Sequence, residues 1–158
     1  MNPWIAGLAK LVSVLLILLL TPVQAVIIPL AASENMANFP DYRPLAIAGI
    51  VWAIVAVACV QAVLALLWVL LSMVGRGRIF VPNALRVLSA MIWCAVAFTG
   101  LVLLALVVLT IASATPALVL IGLIAGGLVG VMAILVFIVI RGLLSTATTY
   151  ADELAEVI

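Results

Sequence analysis

Histidine, the side chain most often recruited to move protons near neutral pH, is absent from this chain. Cys59 and Cys94 are its only cysteines. Two cysteines so far apart make neither a CxxC redox motif nor a metal-binding cluster, and a thiol in an apolar stretch usually serves as a small apolar side chain. The centres of the apolar stretches hold no Asp, Glu, Lys or Arg. Intramembrane ionisable groups mark proton relays, ion paths and voltage sensors, and without them no nucleophile–base pair can be assembled. The sequence therefore predicts no catalytic residue, no metal and no cofactor. Gln61 is the most polar side chain left inside an apolar stretch. It suits an interhelical hydrogen bond and, alternatively, a ligand contact. Ser13, Ser72, Ser89, Thr99 and Thr110 suit bonds to backbone carbonyls.

The elements that carry these residues follow from composition. The 158 residues are 70% hydrophobic and 7% charged, against about 25% charged for a soluble domain. The apolar residues come in runs long enough to span a bilayer, which takes about 20 residues. Four spans are expected, at about residues 4–30, 45–74, 84–112 and 117–141, with a tail over 142–158 and one membrane domain in all. A bilayer core offers no water to the backbone, so spans must be helices or closed barrels. Barrel strands alternate apolar and polar residues, and no stretch here does. Pro3, Pro44, Pro82 and Pro116 each precede a run, where the missing N–H costs nothing. The expected fold is all-α, an integral membrane four-transmembrane-helix bundle.

The charges orient it. Arg76, Arg78, Arg86 and Arg141 fall on one side if the spans alternate, and Lys10 joins them. Only Arg43 lies opposite, with Glu34 and Asp41. Basic residues near span ends stay cytoplasmic, so both termini are expected in the cytoplasm and residues 33–43 outside. A competing reading takes Lys10, the Leu11–Leu20 run and Val23-Gln24-Ala25 as a signal peptide. Against it, hydrophobicity continues through Val26-Ile27-Ile28 to Ala32. The net charge of +1 gives no reason to expect nucleic-acid binding.

Two features bear on packing. Gly122, Gly126 and Gly130 form a smooth ridge on the fourth span, suited to close helix contact. The ridge serves either a neighbouring helix of the same chain or a homo-oligomer. In the first span Pro22 removes a backbone bond and crowds the preceding turn, so a kink is expected. A kinked helix with Gln24 beside it and Gln61 on the second span could line a cavity of a small transporter or immunity-type protein.

The expected cytoplasmic face is the other candidate. Beyond Arg141, the residues Leu143, Ala147, Tyr150, Leu154 and Val157 recur at helical spacing, with Thr148, Asp152 and Glu156 on another face. This reads as an amphipathic extension of the last helix. Its acids, Asp152, Glu153 and Glu156, oppose the helix dipole. A cationic neighbour would offset that, either the chain's own Arg76, Arg78 and Arg86 or a soluble partner.

On the same side lies the segment Gly77-Arg78-Ile79-Phe80-Val81-Pro82-Asn83-Ala84-Leu85-Arg86. The chain closes on Arg141-Gly142-Leu143, an Ala-Thr step, and Asp152-Glu153-Leu154-Ala155-Glu156-Val157-Ile158. Together these motifs and the four spans resemble the DUF2975 family of bacterial membrane proteins over nearly the whole chain. Pro82 departs from the more usual polar residue before the Asn. The resemblance implies a bacterial cytoplasmic membrane location and no established activity. It also implies a candidate partner, since members are often encoded beside a small helix-turn-helix regulator. In this picture Phe80 anchors the loop at the interface, Asn83 acts as a cap, and the tail acids meet the loop arginines. The first expectation is thus a non-enzymatic membrane adaptor binding a DNA-binding regulator through its loop and tail. The second is the small transporter with a cavity near Pro22, Gln24 and Gln61. The third is a structural oligomer joined through the glycine ridge.

Overall fold

The computed structural model describes residues 3–38, 43–75, 82–112 and 117–156. The order is α1 (Pro3–Pro22), a π-helical segment (Val23–Ile27), α2 (Ile28–Asn38), α3 (Arg43–Gly75), α4 (Pro82–Ile111) and α5 (Ala117–Glu156). No strand occurs among the described residues. Four stretches are long and apolar enough to cross a membrane: Gly7–Glu34, Arg43–Met73, Asn83–Ile111 and Val119–Tyr150. The protein is an all-helical, multi-pass integral membrane protein.

The helix starts follow proline. Pro3 and Pro82 open α1 and α4, and Pro44 is the second residue of α3. The first position suits proline because the leading N–H groups of a helix have no intrahelical partner. Pro116 lies outside the described residues. One boundary differs from expectation. The polar stretch from Ser33 was expected to be loop, yet α2 runs on to Asn38. Ser33 to Asn38 contains neither Gly nor Pro, so polarity alone does not stop a helix already under way. Pro40 then disfavours helical geometry at the residue before it.

Pro22 disturbs its helix through a change of winding. The five residues after it form a π turn, in which the Ile28 N–H donates to the Val23 carbonyl five residues back. Pro22 and Pro29 each lack an N–H, so each removes a rung of the α ladder. Widening the turn between them re-pairs the backbone in a medium that offers no water. It also sends Gln24 sideways, and its Nε2 donates to the Ile54 carbonyl of α3 at 3.0 Å.

Each helix packs on its neighbour in the chain. The close backbone approaches join α1 and α2 to α3, α3 to α4, and α4 to α5. Among the described residues α5 approaches only α4. Four contacts fix antiparallel registers. Lys10 lies over the Trp68 ring, 5.8 Å from its centroid, and Gln24 meets Ile54, so α1 and the π segment run against α3. The Trp52 indole N–H donates to the Leu101 carbonyl at 2.7 Å, tying α3 to α4. Gly130 of α5 meets Thr99 and Phe98 of α4.

α4 is the central helix. Ala84, Leu88, Met91, Ala95, Thr99, Val102 and Ala105 are buried along it, three or four residues apart, which is one helical stripe. Many are small. Burial of apolar surface drives nothing between helices in lipid, so backbones must come close enough for dispersion contacts to accumulate. The glycine ridge answers this stripe from α5. A Cβ at Gly127 would sit 3.6 Å from Val102, and one at Gly130 would collide with Thr99. At Gly126 a Cβ would stand 4.0 Å from Val102, and at Gly122 it would meet nothing within 4 Å. The ridge thus packs within the chain at Gly126 and Gly130 and faces open space at Gly122.

The serines and threonines behave as their positions in apolar helices require. Ser13, Ser72, Ser89, Thr99 and Thr110 each donate to the carbonyl four residues back, at 2.6–2.9 Å. Gln61 differs from expectation: it is half-buried and makes no interhelical hydrogen bond to a described residue. Gln24 makes that bond in its place, because the π turn lifts it onto α3.

Two outcomes follow for stability in detergent. Gln24→Leu should lower it by about 0.6–1.7 kcal/mol, the range for interhelical bonds in membranes, while Gln61→Leu leaves it unchanged; reversible unfolding of the two variants side by side checks this. Gly130→Leu should part α4 from α5 and cost about 1–3 kcal/mol as an overpacked contact, whereas Gly122→Leu is tolerated, which the same measurement reads.

Candidate functional site

The face that the sequence singled out is the end of the molecule where α3 stops, α4 starts and α5 emerges. Pro82 already opens α4, so Asn83 stands one position inside the helix it was expected to cap, and its side chain is exposed. Arg86, one turn further on, is also exposed, as is Arg141 on α5. Arg76, Arg78 and Phe80 lie outside the described residues. The backbone at Asp152, Glu153 and Glu156 is helical, and their side chains, with the expected pairing to the loop arginines, lie outside the described residues.

The register of α5 on α4 shows how far the last helix overhangs. With Gly130 opposite Thr99, Ala147 comes level with Pro82 at the start of α4. Thr148 to Glu156 therefore pass beyond the end of the only helix that α5 approaches. At 1.5 Å per residue the whole of α5, 40 residues, is about 60 Å long, twice the roughly 30 Å of a hydrocarbon core. Tyr150 on the overhanging part is 62% exposed, and no described residue covers it. Thr146, Thr148 and Thr149 turn their hydroxyls back onto the Gly142 and Ser145 carbonyls.

The cleft that the structure forms is a different one from that expected near Pro22, Gln24 and Gln61. Gln24 is committed to Ile54. A cleft of about 990 Å³ lies at the opposite end of the molecule from Arg86, between α2, the start of α3, the end of α4 and the start of α5. Pro22, Gln24 and Gln61 take no part in its lining. Sequence inspection missed it because no single span shows it. Its signal was the pair of glycines, Gly49 and Gly122, that end up on facing walls.

The cysteines come together in an unexpected way. Cys59 is seven residues from Trp52, and Cys94 is seven from Leu101. Seven residues are nearly two full turns, so the Trp52–Leu101 bond sets both cysteines at one level on the facing sides of α3 and α4. Both are half-buried free thiols. No group of three or more metal-ligating side chains occurs among the described residues. A further contact, Lys10 over Trp68, was legible only as a cation near the start of an apolar run; such a charge over an aromatic face is held by the ring quadrupole.

A family model described as a protein of unknown function, DUF2975, matches residues 30–158. The chain belongs to the DUF2975 family. The match takes in α3, α4 and α5 whole and begins inside α2. In this DUF2975 protein α1 and the π segment therefore precede the matched part, which is narrower than the near-complete resemblance the motifs suggested. No curated protein and no solved structure matches the chain.

Because Cys59 and Cys94 sit at mid-span, a charged maleimide should leave both unlabelled in intact vesicles and label both after the protein is unfolded in sodium dodecyl sulfate. Mass spectrometry of the two samples reads the difference.

Proposed function

We propose that this DUF2975 protein is a non-enzymatic membrane adaptor. In this reading the end bearing Arg86 and Arg141 faces the cytoplasm, and the α5 extension holds a soluble regulator of the helix-turn-helix type at the membrane. The observation that carries it is the overhang: residues 148–156 continue α5 past α4, its one helical neighbour among the described residues, with Tyr150 exposed. A membrane protein with no outside task gains nothing from a rigid helix reaching about 13 Å further into water. Unpartnered apolar side chains at solvent-facing positions mark interaction surfaces.

Charge supports the nature of the partner. Asp152, Glu153 and Glu156 stand at the C-terminal end of a helix, where the dipole disfavours anions. A basic surface laid against them would relieve that strain, and DNA-binding proteins carry such surfaces to meet phosphates. The family resemblance supplies the helix-turn-helix class, through the regulators encoded beside its members. The orientation rests on the bias of Arg76, Arg78, Arg86 and Arg141 to one side.

The transporter alternative gains less support, since Gln24 is bonded to α3 and Gln61 takes no part in lining the cleft at the Arg43 end. The oligomer alternative is weakened, since Gly126 and Gly130 already face α4.

The test is recovery of soluble protein from native cells in mild detergent, with the full chain beside one ending at Ser145. A small DNA-binding protein held by the full chain alone, and released as salt rises because its contacts are screened, is the expected result. Recovery of the same proteins by both chains, or of none by either, overturns the adaptor reading.

A further inference from the structure

The cleft at the Arg43 end has a shape, a depth and a rim that point to one kind of occupant. Its walls come from every helix after α1, because among the described residues α5 packs on α4 and does not close onto α2 and α3. Along α3 the lining runs from Leu45 to Trp52, and along α4 from Leu109 to Phe98. At 1.5 Å per residue these are depths of about 10 and 16 Å. Half of a roughly 30 Å hydrocarbon core is about 15 Å. The cleft therefore reaches from one membrane surface to the midplane, the depth of a single leaflet.

Its floor is closed. Phe98 and Trp52 stand there, and just beyond them Gly130 meets Thr99. The one polar side-chain group on the walls, the Trp52 indole N–H, is already bonded to the Leu101 carbonyl. Nothing on the walls asks for a hydrogen bond from an occupant. Gly49 and Gly122 are exposed on the walls, and a Cβ at either would meet nothing within 4 Å. The rim, in contrast, is charged. Arg43 lies two residues before the lining residue Leu45, and Glu34 two residues after the lining residue Ala32; both are exposed. α2 and α3 are packed together, so among the described residues the mouth carries one charge of each sign.

We infer that the cleft seats an acyl chain of a zwitterionic phospholipid from the leaflet at the Arg43 end. Arg43 faces the headgroup phosphate and Glu34 its ammonium group. A planar guanidinium is well suited to phosphate oxygens, and the volume of about 990 Å³ falls within the range of small-molecule sites. The inference does not depend on the adaptor reading, which concerns the other end of the molecule.

The experiment uses the full chain reconstituted in vesicles of equal parts phosphatidylethanolamine and phosphatidylglycerol, extracted in mild detergent and examined by native mass spectrometry. The expected result for the unaltered protein is a retained phosphatidylethanolamine adduct. Gly122→Leu and Gly49→Leu, on opposite walls, fill the space the chain occupies, and each should reduce that adduct by about tenfold. Gly100→Leu, whose Cβ also meets nothing within 4 Å but which lies outside the cleft, should retain it. Arg43→Gln should remove the preference for phosphatidylethanolamine. Absence of any phospholipid on the unaltered protein, preference for phosphatidylglycerol, or equal retention by the two wall variants and Gly100→Leu would each overturn the inference. The first two readouts need no variant, so a misfolded substitution leaves the inference open to refutation.

Discussion

In a bilayer core an N–H or C=O that finds no partner in the protein has no water to turn to, and the four spans meet that constraint by staying helical almost from end to end. The side-chain hydroxyls comply in the same way, each folding back onto a carbonyl of its own helix. What holds the described helices together is close packing of small residues, with side-chain bonds from Gln24 and from Trp52 that cross between helices. The central position of α4 reflects this economy. Its stripe of alanines, Thr99 and Val102 lets α3 and α5 approach from either side.

The π segment shows how a local defect becomes a tertiary contact. Two prolines seven residues apart would leave carbonyls unpaired in a plain α-helix. The wider turn between them restores pairing, and the same change of phase directs Gln24 across to Ile54. Polar side chains in a membrane are costly unless bonded, so the amide and the altered winding stabilise each other. The first span is thereby fastened to α3 near its middle by Gln24 and near its start by Lys10 over Trp68.

The two ends of the molecule are unlike for one geometric reason. α5 follows α4 and, among the described residues, makes close backbone approaches to α4 alone. At one end this leaves a cleft between α5 and the α2–α3 pair; at the other the last turns of α5 run past the start of α4, with no close backbone approach to another described helix. Both candidate sites therefore come from what a serial arrangement of helices leaves uncovered, and neither draws on reactive side chains.

The sequence by itself determined the class and the number of spans. It did so because a bilayer reads hydrophobicity and length directly, and because proline at Pro3 and Pro82 marks helix starts through its missing N–H. It also determined the back-bonding of Ser13, Ser72, Ser89, Thr99 and Thr110, which needs only the helix they sit on. The DUF2975 motifs were legible because they are runs of adjacent residues. The tertiary structure alone decided which glycines pack and which face a cleft, that Gln24 rather than Gln61 crosses to another helix, and that Cys59 and Cys94 share a level. Those outcomes depend on helix phase and register. Four apolar spans carry almost no sequence signal for either, because every face of such a helix is acceptable to lipid. The physical choice among faces is made by sub-ångström fit of small residues such as Gly130 against Thr99, which composition and spacing do not encode.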